Sequence, residues 1–112
     1  MLRQVKSSQR APRLLAIQVD GTGTASITVG GTDATLTDNN TGDYTLTFAK
    51  AFARVPTVVV TPISTTGDVI ATLDTVAAGS VIINTWDGTD GTTAKDCDFH
   101  VLIVGYDSPD QI

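Results

Sequence analysis

The segment Asp43-Tyr44-Thr45-Leu46-Thr47-Phe48 alternates polar and apolar residues without a break, directly after the turn-forming run Asp38-Asn39-Asn40-Thr41-Gly42. Successive side chains of an extended strand point to opposite faces, so Tyr44, Leu46 and Phe48 share one face while Asp43, Thr45 and Thr47 share the other. This is a half-buried strand, and the fold must supply a sheet for it.

The same signal recurs in short pieces. β-type runs occupy residues 14–20, 25–29, 32–37, 57–61, 69–73, 80–86 and 98–106, separated by clusters of Gly, Asp, Asn and Pro. The segment Gly21-Thr22-Gly23-Thr24 joins the first two as a hairpin. Seven or eight short strands with turns every ~8–12 residues predict an all-β domain, either an antiparallel β-sandwich or a jelly-roll-like barrel. No stretch sustains a long helical period; residues 48–55 (FAKAFARV) have room for one turn. The polar composition agrees, with nineteen Thr, twelve Asp and no Glu. Thr suits a pleated surface and Asp suits turns, whereas Glu would favour helix. At 112 residues the chain fits one domain.

One run breaks the alternation. Thr57-Val58-Val59-Val60-Thr61 is continuously apolar at its centre and bracketed by Pro56 and Pro62. A strand of that kind is either buried on both faces or packed against a neighbouring subunit.

Charge is unevenly placed. Arg3, Lys6, Arg10 and Arg13 precede the first acid, Asp20, and the remaining chain sets twelve Asp against Lys50, Arg54 and Lys95, a net charge of −9. Residues 1–13 therefore read as a basic extended arm ahead of a sandwich domain at 14–112. Four cations are few for a duplex that the acidic body would repel, so direct nucleic-acid binding is disfavoured. An assembly arm reaching a neighbouring subunit or an acidic scaffold is the simpler reading.

Catalytic chemistry finds little support. A hydrolytic triad needs a base beside its nucleophile, and His100 is the one imidazole. Asp87, Asp90, Asp96 and Asp98 offer oxygen atoms to a hard cation but lack the ligand series of a calcium loop, and turn carboxylates are the plainer assignment. Gly21-Thr22-Gly23 lacks the third glycine of a dinucleotide loop. Cys97 is the only cysteine, which excludes an intramolecular disulfide and reads as a small residue in a reducing compartment. No catalytic, cofactor-binding or metal-ligating residue is assigned, and the chain is expected to be non-enzymatic. No apolar run approaches ~18 residues, so no membrane segment is expected, and synthesis in the cytosol follows.

His100 lies on the strand face shared with Leu102, Val104 and Tyr106. Together with Val58, Val59 and Val60 these form the candidate oligomer interface. Burial of His100 in such a contact would let its titration tune assembly between about pH 5 and 8.

The stretch Gly42–Phe48 (GDYTLTF), then Phe52 and Val55-Pro56-Thr57-Val58-Val59-Val60-Thr61-Pro62, ending in Asp98-Phe99-His100-Val101-Leu102-Ile103-Val104-Gly105-Tyr106-Asp107, resembles small β-rich structural proteins of tailed bacteriophages. The resemblance implies a virion protein, made in the host cytoplasm, that decorates or cements a capsid or serves as a tail accessory part. It also implies a homo-oligomer, with a trimer favoured, held on a major capsid or tail structural protein. The alternating strand followed by F-x-x-x-P and a valine run is similar as well to H-type lectin-like domains, which are sugar-binding trimers. A glycan-binding adhesin or receptor-binding module is therefore the alternative, with Trp86 and Tyr106 as stacking residues if exposed. No sugar-binding set of that family is matched residue by residue.

Overall fold

Turn chemistry and alternation divide the chain into eight strands in the computed structural model, which describes residues 12–64 and 67–108. They are β1 Arg13–Asp20, β2 Ser26–Val29, β3 Ala34–Asn40, β4 Asp43–Phe48, β5 Thr57–Ile63, β6 Val69–Val76, β7 Ser80–Asp87 and β8 Asp98–Gly105. They form two antiparallel four-stranded sheets, ordered β2-β1-β8-β5 and β3-β4-β7-β6, packed together as a β-sandwich. No helix occurs among the described residues, and the segment after Phe48, which had room for one helical turn, instead passes through bends at 49–50 and 53–54.

The core comes from alternate positions of both sheets. Leu15, Ile17 and Val19 of β1 and Phe99, Val101 and Ile103 of β8 meet Tyr44, Leu46 and Phe48 of β4 and Val81 and Ile83 of β7. Fully burying one such large side chain is worth about 1.5–3 kcal/mol, so these interior strands dominate the stability. The expected inward face of β4 is the observed one.

Several strand ends differ from expectation: β5 runs through Pro62, which pairs with Phe99, to Ile63, and β6 runs on to Val76. β3 runs on to Asn40, taking in residues read as turn, because Asn40 pairs with Asp43 across an irregularity after Asp38. The reversal is left to Thr41 and Gly42, and Gly42 takes φ +65°, where a side chain is disfavoured. The triple-valine strand is not enclosed on both faces within the monomer. β5 is an edge strand in which Val58 and Val60 pack against the core while Val59 is 55% exposed.

Arg13 was placed at the end of the arm, but it opens β1 and pairs with Gly105 of β8. Its guanidinium is held within its own domain by Asp107 at 2.7 Å and by the Lys50 carbonyl oxygen at 2.8 Å. Arg3, Lys6 and Arg10 lie outside the described residues.

Candidate assembly face

The outward side chains of the β1 sheet follow from its register. Ala16 of β1 and Val59 of β5 both pair with Leu102 of β8, forming an apolar row across three strands. One step towards Arg13, Leu14 and Thr57 flank Val104; one step the other way, Gln18 and Thr61 flank His100. Leu14 is 60% and Leu102 43% exposed, and Val29, Val55 and Ile63 stand exposed around the margin. A shallow hollow of about 260 Å³ opens here, lined by Ala16, Gln18, Val59, Thr61, His100 and Leu102 among others. The small Ala16 side chain stands between larger neighbours.

Of the interface residues expected from sequence, Val59, His100, Leu102 and Val104 thus share one face. Val58 and Val60 point the other way, towards the core. Tyr106 is half-buried just past β8, its carbonyl oxygen accepting from the Ala53 N–H at 2.8 Å. Leu14, Ala16 and Gln18 belong to the face but were not singled out. Alternation in β1 was visible, but its pairing with β8, more than 80 residues away, was not.

The opposite sheet has a different outer surface. Thr35 pairs with Thr47 and Thr37 with Thr45, Thr72 is opposite Asn84, and Asn39 Nδ2 donates to Thr45 Oγ1 at 2.8 Å. Trp86 lies on this side, its Nε1 donating to Thr72 Oγ1 at 2.9 Å. Trp86 lies on β7 of this sheet, whereas Tyr106 follows the last residue of β8 in the other sheet, so the two do not form one stacking platform.

The sandwich end beyond Asp20 and Asp98 is built from carboxylates in structural roles. The Tyr44 hydroxyl donates to the Gly21 carbonyl oxygen and to Asp96 Oδ1, each at 2.8 Å, so two acceptors share one proton. Asp96 Oδ1 also accepts the Gly42 N–H at 2.7 Å. Burial first, then the hydrogen bond to the Asp96 carboxylate, raises the Tyr44 pKa above the usual phenol range. Asp90 accepts from the Thr92 and Thr93 N–H groups and the Thr93 hydroxyl, which lowers its pKa to about 2. Asp87 accepts the Thr89 N–H at 2.9 Å. Asp87 and Asp90 thus serve their own loop, whereas Asp96 ties the segment before β8 to Gly42 and Tyr44; no cluster of three metal-ligating side chains occurs among the described residues.

Asp20 and Asp98 sit one step beyond the Val19–Phe99 pair, at the rim of the candidate face. Burial and then Asp20 raise the Asp98 pKa, while the Thr22 hydroxyl and N–H lower that of Asp20. Cys97, between Asp96 and Asp98 in the chain, is buried, and burial pushes its thiol pKa up, away from the thiolate that reactive cysteines need.

No protein-family model, curated protein or solved structure matches this chain.

Proposed function

We propose that the chain is a non-enzymatic structural subunit of a phage particle, a homo-oligomer that decorates or cements a capsid or forms an accessory part of a tail. A trimer is the expected form, and a major capsid or tail structural protein its support. The observation that carries this reading is the contrast between the outer faces of the two sheets. One carries mostly Thr and Asn hydrogen-bonding groups, with Ile82 and the Ile70–Trp86 pair as its apolar members, whereas the other exposes Leu14, Val59 and Leu102 around a hollow. Contiguous exposed apolar surface rimmed by polar groups marks an interaction site. The strand rhythm shared with phage structural proteins supports the same reading, and the basic segment of Arg3, Lys6 and Arg10 supplies an anchor for acidic neighbours.

Removing residues 1–12, which leaves Arg13 in place, should weaken attachment to particles while far-ultraviolet circular dichroism and melting temperature stay unchanged. Equal incorporation of the truncated chain would reject the anchor role.

The hollow also favours a second reading. Gln18, Thr61 and His100 offer polar groups beside apolar Ala16 and Leu102, a combination suited to a sugar ring. Binding on a glycan array that is lost in Gln18→Ala would support the adhesin alternative.

A further inference from the structure

We infer that the outer face of the β1 sheet is covered by the same face of other copies of this chain. The inference rests on the oligomer part of the reading above and names the partner for this surface.

Charge decides between occupants. The chain carries a net charge of −5, so its copies repel one another wherever Asp meets Asp. Across the rows Leu14–Val104–Thr57, Ala16–Leu102–Val59 and Gln18–His100–Thr61 there is no Asp, Lys or Arg. Asp20 and Asp98 lie at one rim. Arg13 at the other end is engaged with Asp107 and the Phe52 ring. Like-charged copies can therefore approach through this face at little electrostatic cost. A partner selected for opposite charge would instead engage the acidic loops, where Asp68, Asp87, Asp90 and Asp96 stand.

The polar groups on the face are self-complementary. Gln18 and Thr61 each donate and accept hydrogen bonds, so the polar groups of another copy's face satisfy them whether the copies meet about a two-fold or a three-fold axis. Relief is complementary too, since the exposed Leu14 side chain is a knob of the kind the hollow at Ala16 receives.

Size is adequate. Four strands about 4.8 Å apart with ~3.3 Å rise per residue give a flat footprint of roughly 400–500 Å². Side-chain relief and the bordering Val29, Val55 and Ile63 enlarge it towards the ~800 Å² per partner of a specific interface.

Sedimentation velocity of the purified full chain over a range of concentrations tests this. The wild type should sediment as an oligomer. Leu102→Glu should weaken association by about tenfold or more, because it places a charge in the contact, while leaving circular dichroism unchanged. Ala16→Glu, on the adjacent strand, should do the same and decides the matter if Leu102→Glu fails to fold. Thr45→Glu, on the opposite sheet, should leave the oligomer intact. A wild type that stays monomeric, an oligomer that survives the face variants, or equal loss in Thr45→Glu would overturn the inference. Particles that exclude an oligomeric protein would instead remove the virion reading and leave this one standing.

Discussion

Arg13 holds its guanidinium over the Phe52 ring, 4.0 Å from the ring centre. Phe52 in turn packs edge-on against Phe48 and lies so close to Gly105 that a Cβ there would meet the ring. One residue at the start of β1 thus ties the loop between β4 and β5 to the end of β8.

Arg13→Ala should loosen that loop before it unfolds the domain. The lost stacking and partly exposed ion pair are together worth about 1–2 kcal/mol. Lys50 and Arg54 flank Phe52, so limited trypsin digestion should cut there faster in the variant. An unchanged cleavage rate would contradict the clamp.

Tyr44→Phe should destabilise the fold by about 1–3 kcal/mol in urea titrations, since it removes a buried hydroxyl bonded to a carboxylate and leaves the Gly21 carbonyl oxygen and Asp96 short of a donor. It should also flatten the alkaline limb. A tyrosine whose folded pKa is raised contributes stability that is complete below about pH 10, the unfolded value, and is lost as pH rises above it. Melting temperatures at about pH 8 and pH 10.5 should therefore fall less in the variant than in the wild type.

Asp98→Asn should stabilise the domain at neutral pH. Asp98 has a raised folded pKa, so its contribution is present below the ordinary carboxylate value and lost as pH rises through the folded value. Near neutrality Asp98 and Asp20 are two carboxylates at adjoining strand ends. Asparagine keeps the acceptor for the Gly21 N–H, at 3.1 Å in the wild type, and offers Asp20 an amide donor. Melting curves should show a gain at about pH 7 that shrinks towards pH 3. An equal gain at both would exclude relief of carboxylate repulsion as its cause.

The eight β-type runs were legible because alternation and turn residues are local, and β4 shows them most plainly. What was hidden depends on partners distant in sequence. Tyr44 meets Asp96 across 52 residues and Arg13 meets Asp107 across 94, so Asp96 read as a turn carboxylate and Arg13 as part of the arm. The three valines gave no hint of which one faces outward, because composition does not set register. Pairing of β5 with β8 does, and it turns Val59 alone into the row with Leu102. The face itself was half visible: β8 announced His100, Leu102 and Val104, but the flanking β1 residues needed the sheet order.

Assembly into a particle is tested most directly by imaging purified particles that carry the chain at a resolution that places side chains. The chain should occupy repeated, ordered positions as a closed oligomer, with Val59 and Leu102 of each copy removed from solvent against other copies. Absence from the particle, or single scattered copies with that face open to solvent, would contradict the proposal.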